Sequence, residues 1–371
     1  MAWLDHYLAV RDRWLASPRF QRWAAAFPLT RATARRRARA LFDVCAGFVY
    51  SQILFACVRL RLFDLLAEGP LTAVVIADKL NLSLDSTERL LDAAVSLKLL
   101  ERRPNERFGL GSLGAPLAGN TALAAMVEHH RMLYSDLDDP VGLLRGERPQ
   151  TELSKYWAYS RADRPSNLAM AQVADYSALM SDSQPLVAAD ILDAYPLDKH
   201  RCLLDVGGGE GNFLIEAGRR ATHLDLMLFD LPPVAERAGR RLQSAGLAER
   251  ARAVGGDFFK DPLPAGADVV SLVRVVHDHD DEAVMTLLRA AHRALPPQGV
   301  LLLAEPMSGT PGAEPVGDAY FGFYLLAMGR GRPRTPQDLQ QMLMAVGFSH
   351  IQLLATRQPL QSRLLAARKT S

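Results

Sequence analysis

The stretch CLLDVGGGEGNFL, Cys202 to Leu214, decides the reading of this chain. An apolar run reaches Asp205, three consecutive glycines follow, and an acidic residue, Glu210, sits inside the loop. That succession is a strand, a tight turn and the start of a helix. From Leu197 onward the same grammar repeats. Strands are expected at Cys202–Val206, Leu224–Phe229, Ala251–Gly255, Ala267–Val273 and Val300–Ala304, with helices such as Pro233–Ala245 and Asp281–Leu295 between them. The alternation predicts an α/β domain whose parallel sheet carries helices on both faces. Ligands in such sheets bind beyond the carboxyl ends of the strands, where the strand order reverses.

The loop discriminates between ligands. A dinucleotide fingerprint requires GxGxxG over a helix N-terminus that holds a pyrophosphate. From Gly207 this chain reads GxGxG, and Asn212 occupies the last fingerprint position. Asp205 and Glu210 would also repel a doubly anionic pyrophosphate. S-adenosylmethionine (SAM) has no phosphate and carries a sulfonium and an ammonium, so acidic neighbours suit it. Asp230 ends the second strand, where a carboxylate can hold both ribose hydroxyls. Asp257 ends the third and can accept the adenine amino group, with Phe258 against the ring. Each alone reads as a helix-capping aspartate; together they describe one nucleoside pocket.

His277 follows the fourth strand, beside that pocket. An imidazole there can take a proton from a substrate hydroxyl, help worth about 10²- to 10⁴-fold. Glu305, at the end of the neighbouring fifth strand, can hold the other ring nitrogen and stabilise the imidazolium. Asp280 and Asp281 read as an acidic first helical turn favoured by the helix dipole. His277, Asp278 and His279 have no further ligands at suitable spacing, so no metal is expected.

The 371 residues bound the rest: 49% are hydrophobic, 23% are charged and the net charge is +2, the balance of a globular protein not built to coat nucleic acid. Cys45, Cys57 and Cys202 form no CxxC pair, which argues against a disulfide framework or a zinc site and makes the cytoplasm the default. No signal peptide is expected, and no apolar run approaches the roughly 18 residues of a spanning helix. Four segments are expected: a helical arm at 1–40, a winged-helix dimerisation domain at 41–115, a helical linker and pocket segment at 116–195, and the ligand-binding domain at 196–371. The arm holds Trp3, Trp14 and Trp23 and the cluster Arg35, Arg36, Arg37 and Arg39. It reads either as a helical arm packed on another subunit or as one touching a membrane surface. In the winged-helix segment, Pro70 to Gly114, two short helices and a two-stranded wing are expected, with Asp85 or Ser86 capping the second helix. That helix offers Asp85, Glu88 and Asp92, too acidic for a DNA groove, so dimerisation is the expectation.

The motifs LLDVGGGEGNF, FDLP, GDFF, HDHDDE and AEPM, preceded by a winged helix, resemble the SAM-dependent O-methyltransferases of the caffeate/hydroxyindole type from about Leu41 to the C-terminus. The resemblance implies a Rossmann-like class I methyltransferase domain and a homodimer. It also implies that Gly207 and Gly209 contact SAM, Asp230 with Leu231 holds the ribose, Asp257 and Phe258 hold the adenine, His277 is the base and Glu305 orients it. Tyr176 and Met180 match positions that close over the cofactor, and Arg274 falls near a cationic family position. Pro333, in GRPRTPQDL, departs from the pattern, since many members carry a second glutamate there to complete a clamp on a phenol. Over the whole chain, the arm and HHRMLYSDLDDPVGLLRG resemble the carotenoid 1-hydroxy O-methyltransferases of purple phototrophic bacteria. That likeness implies an acyclic hydroxycarotenoid acceptor, and because carotenoids are insoluble in water, peripheral contact to the photosynthetic membrane is expected with it. Tyr320, Phe321, Phe323, Tyr324 and Met328 suit a polyene-accepting wall, although an apolar stripe is equally helix core. The rival readings are methylation of a small phenol or a bacteriochlorophyll-type ring, and a winged-helix regulator that senses SAM. A sensor needs neither His277 nor Glu305.

Overall fold

The structure, a computed structural model, describes residues 2–157, 184 and 186–370, so Tyr176 and Met180 lie outside the described residues. The chain divides into two compact units, Met1–Asn120 and Thr121–Ser371.

The first unit begins with three helices, α1 (Ala2–Ala16), α2 (Pro18–Ala26) and α3 (Pro28–Arg59). Proline opens α2 and α3, where its missing N–H costs nothing. After α4 (Leu62–Ala67) come α5 (Ala73–Leu80) and α6 (Leu84–Ser96), then the wing. The wing has one strand more than expected: β1 (Leu71–Thr72), β2 (Leu100–Arg103) and β3 (Arg107–Leu110) form an antiparallel sheet in the order β1-β3-β2. The α6 cap also differs. Ser83 is the N-cap, its Oγ accepting from the Ser86 N–H at 3.1 Å, while Asp85 pairs with Arg89 in the first turn.

α3 corrects the expectation about apolar runs. It is long and apolar enough to cross a membrane by length and composition, with 11% of its most apolar 18-residue window buried. Polar Tyr50, Ser51 and Gln52 interrupt the consecutive run, yet Asp43 is the sole charge between Leu41 and Val58, so the average stays high. Leu41, Phe42, Val44 and Phe48 are all more than 60% exposed, a face left uncovered by the described residues.

The second unit is built on a seven-stranded sheet in the order β6-β5-β4-β7-β8-β10-β9, comprising β4 (Cys202–Val206), β5 (Asp225–Asp230), β6 (Ala251–Gly255), β7 (Val269–Val273), β8 (Val300–Glu305), β9 (Phe348–Leu354) and β10 (Arg363–Lys369). The first five are parallel, as the sequence alternation predicts; β10 runs antiparallel to β8 and β9. The antiparallel pair was not anticipated, because β10 ends in Arg368 and Lys369 and β9 alternates only weakly. Successive side chains of a strand face opposite ways. Leu203 and Leu226 therefore enter one core layer, with Phe213 and Ala238 from two covering helices. Leu204 and Met227 enter the other, with Leu287 and Leu343. Both faces are covered, which is why these strands read as continuous apolar runs. The order reverses at β4, so the switch point lies between β4 and β7.

Candidate active site

The glycine loop leaves β4 at the switch point. Gly207, Gly209 and Gly211 have φ of 68°, 57° and 82°, a region that favours glycine. A Cβ on Gly207 would meet Val275 at 2.8 Å, whereas one on Gly209 would meet nothing within 4 Å. The loop is thus tight against the segment that follows β7 and, among the described residues, open at its tip. Asp205 is buried beneath it. Its Oδ1 accepts from Ser271 Oγ at 2.6 Å, and its Oδ2 has no hydrogen-bond partner among the described residues. Asp230 accepts from the Gly209 N–H at 2.8 Å and from the Leu231 N–H at 2.7 Å, tying the end of β5 to the loop tip. Burial pushes Asp205 up to about 7, with the nearby Asp230 charge adding to the rise, and pushes Asp230 up to about 6.

Glu210 behaves differently from the other loop acid. It is buried and paired with both Arg237 and Arg241 of the helix Pro232–Ser244, and Arg241 also donates to Asn212 Oδ1 at 2.8 Å. Its charge is neutralised within the protein, so the acidity offered to a ligand comes from Asp205 and Asp230. Asp257, at the end of β6, caps its own turn by accepting from the Phe259 N–H at 3.0 Å and pairs with Lys260 at 3.0 Å. Phe258 packs edge-on to Phe259 and His279. Arg274, directly after β7, holds φ of 56°, uncommon for a side-chain-bearing residue, while its N–H donates to Ala304 O at 2.8 Å.

His277 lies on a single helical turn, Val276–Asp278, and is buried. Its Nδ1 is 2.5 Å from Glu305 Oε2, and Glu305 Oε1 accepts from the Val275 and Val276 N–H groups at 3.0 and 2.6 Å. With the Nδ1 proton held there, Nε2 is the acceptor of the neutral ring, and once protonated it faces Asp278 Oδ1 at 3.2 Å. Burial alone would depress this histidine. The Asp278 and Glu305 carboxylates outweigh burial and the opposing Arg274, and they hold it above the ordinary histidine value. Among the described residues, no three His, Cys, Asp or Glu side chains cluster to hold a metal ion.

A second clamp on the His277 turn was not legible in the sequence. Arg334 is buried and donates to Val276 O at 3.0 Å, His279 O at 2.7 Å and Asp281 Oδ1 at 2.9 and 2.8 Å. The Arg332 N–H donates to His277 O at 2.9 Å. Gly331 packs so closely that a Cβ would stand 2.2 Å from that oxygen. The segment holding Pro333 in place of a family glutamate therefore grips the turn through its backbone and Arg334.

The aromatic stripe divides. Phe321 sets its ring 5.7 Å from His277, edge to face, and Tyr320 packs on Phe321. Phe323 is exposed, whereas Tyr324 and Met328 lie in a helical core with Leu133 and Leu153. Both tyrosine hydroxyls are engaged by adjacent histidines of the helix α7 (Thr121–Asp136): Tyr324 by His129 at 2.7 Å, with Trp157 Nε1 donating to the same oxygen, and Tyr320 by His130 at 2.8 Å. Burial lowers both histidines, His129 to about 4, so each neutral ring accepts a hydrogen bond from its tyrosine O–H. The pairs span 195 and 190 residues, and the bare HH doublet was the only hint.

The chain belongs to the O-methyltransferase family. Residues 134–349, more than half of it, match the O-methyltransferase domain, and residues 42–127 match the O-methyltransferase dimerisation domain. It is 44% identical over 365 residues to the demethylspheroidene O-methyltransferase of Cereibacter sphaeroides, covering 97% of this chain and 94% of that protein. It is 39% identical to the protein of the same name from Rhodobacter capsulatus, covering 92% and 85%. Among solved structures, human N-acetylserotonin methyltransferase in complex with SAM superposes with a TM-score of 0.74 at 27% identity, covering 90% of this chain and 98% of that one. The exposed stripe of α3 falls largely within the dimerisation match, which gives that face a reason to be apolar.

Proposed function

We propose that this protein is a homodimeric, SAM-dependent O-methyltransferase acting on the tertiary 1-hydroxyl of an acyclic carotenoid, of the demethylspheroidene or hydroxyneurosporene type. The observation that carries the reading is 44% identity over 97% of the chain to a demethylspheroidene O-methyltransferase, arm included. The site fits the cofactor: among the described residues Asp205 leaves a buried carboxylate oxygen without a partner and the loop is open at Gly209, and the two acids suit a cationic ligand. SAM supplies a methyl carbon made electrophilic by its sulfonium. In this reading Gly207 and Gly209 bring the backbone close, Asp230 and Leu231 hold the ribose, and Asp257 and Phe258 hold the adenine. Arg274 adds positive charge at the same edge, while Tyr176 and Met180, outside the described residues, close over the cofactor. His277 Nε2 takes the hydroxyl proton as the oxygen attacks, and Glu305 keeps the ring in the needed tautomer.

A tertiary alcohol is far less acidic than a phenol, so its deprotonation accompanies attack, and a base held above the ordinary histidine value is the stronger acceptor. With Pro333 where a phenol clamp would have its second glutamate, and with Tyr320 engaged by His130, the wall near His277 presents rings rather than free hydroxyls. Such an acceptor is dissolved in lipid, which places the enzyme at a membrane surface on the cytoplasmic side. Methyl-labelled SAM should label a 1-hydroxycarotenoid and leave catechol-like phenols unlabelled. Label in the phenol alone would sink the carotenoid reading.

A further inference from the structure

The first 40 residues contain nine arginines and two aspartates, a net charge of +7. The whole chain has 43 basic and 41 acidic residues, so the remainder holds 34 and 39, a net charge of −5. The positive charge is therefore concentrated in one segment. All nine arginines are exposed, and the dimerisation match begins only at residue 42. On α1, Trp3, Tyr7, Val10 and Trp14 recur at i, i+4, i+7 and i+11 and share a face. Trp14, Phe20, Trp23 and Phe27 continue it as a ladder of ring contacts 5.1–5.6 Å apart. Trp3, Tyr7, Trp14 and Trp23 are each more than half exposed. An open concavity of about 730 Å³ there is lined by Arg13, Arg19, Trp14, Phe20 and Trp23, so guanidinium donors and aromatic rings share one wall.

We propose that α1, α2 and the first turns of α3 are a peripheral anchor for a bilayer rich in anionic phospholipid. Indole and phenol rings settle at headgroup level, where an apolar body and a polar edge are both satisfied. The arginines engage lipid phosphates, for which their planar fork is suited. A second copy of the chain has its own contact segment after residue 42, and nucleic acid would meet the arginines without giving the ring-lined face a lipid phase to enter. The benefit to catalysis rests on the carotenoid reading, but vesicle binding is measured without any acceptor, so either can fail alone.

The full-length protein should sediment with vesicles of phosphatidylcholine and phosphatidylglycerol in equal parts, and not with phosphatidylcholine alone. Binding should weaken at least roughly tenfold at about 1 M salt, where screening acts within about 3 Å. Replacing Arg35, Arg36, Arg37 and Arg39 by Gln should weaken it at least roughly tenfold, by loss of four contacts to anionic lipid. W14A/W23A should also weaken it while the dimer persists on sizing. Equal binding to both vesicles, or none to either, overturns the proposal. So does a monomeric arginine variant, which would assign the cluster to assembly, or displacement of vesicles by duplex DNA. Resistance to alkaline carbonate extraction would instead assign the attachment to a spanning α3 and overturn the peripheral reading.

Discussion

At the ends of β7 and β8, both Glu305 oxygens and both ring nitrogens of His277 have protein groups within 3.2 Å. At the ends of β4 and β5 the acids are buried as well, yet among the described residues Asp205 keeps one oxygen without a partner, and both carboxyls are pushed well above the usual carboxylate range. In the first arrangement both Glu305 oxygens and His277 Nδ1 are engaged without any ligand, and the neutral ring keeps Nε2 for the substrate proton; the second leaves capacity that a cationic ligand can fill. A group that moves a proton gains from fixed geometry before its substrate arrives, whereas a group that binds must leave something unsatisfied for the ligand.

The sharpest way to break this contrast is His277→Ala, which should lower kcat by about 10²- to 10⁴-fold while the SAM dissociation constant stays near wild type. A variant that kept most of its turnover would reduce His277 to a structural role.

Asp230→Ala should do the opposite, weakening SAM binding by about 1.5–3 kcal/mol, roughly ten- to a hundredfold, through lost charge-assisted hydrogen bonds. Protons should report on the same site. Burial holds Asp205 up at about 7 and Asp230 at about 6 in the free protein, so a net cationic ligand should expel protons as the pH falls below those values. Affinity should then fall as the pH drops through that window. Calorimetry in buffers of different ionisation enthalpy measures the release, and a pH-independent affinity would contradict the assignment.

A smaller effect on kcat than that of His277→Ala is expected for Glu305→Gln, since a base remains but is less firmly oriented. Removing one of the two carboxylates that raise His277 lowers its pKa, and the base acts when neutral. The ascending limb of the pH–rate profile should accordingly move to lower pH, a shift that a merely destabilised protein would not produce.

The groups on both sides of the comparison were legible because each lies at or just past a strand's carboxyl end: the glycine loop after β4, Asp230 closing β5, His277 a few residues past β7, Glu305 closing β8. What supports them was not. Arg334 reaches back 58 residues to Val276, Glu210 finds Arg237 and Arg241 on the next βα unit, and His129 and His130 meet tyrosines almost 200 residues away. Such partners are set by how the sheet order brings loops together, and no local pattern encodes them. The stripe from Tyr320 to Met328 illustrates the same limit from the other side. Its period marks a helix, but only the packing separates Phe321, against His277, from Met328, in the core.

The contact between Gly331 and the His277 carbonyl has a practical consequence for anyone remodelling acceptor choice. Loop exchange among relatives is an obvious route to new substrates, and residues 322–335 would be a natural cassette. A cassette with any side chain at 331 would collide with the His277 turn and displace the base it was meant to serve. Grafts that retain Gly331 and Arg334 should keep their chemistry while their selectivity changes; grafts that discard them should lose turnover whatever acceptor they admit.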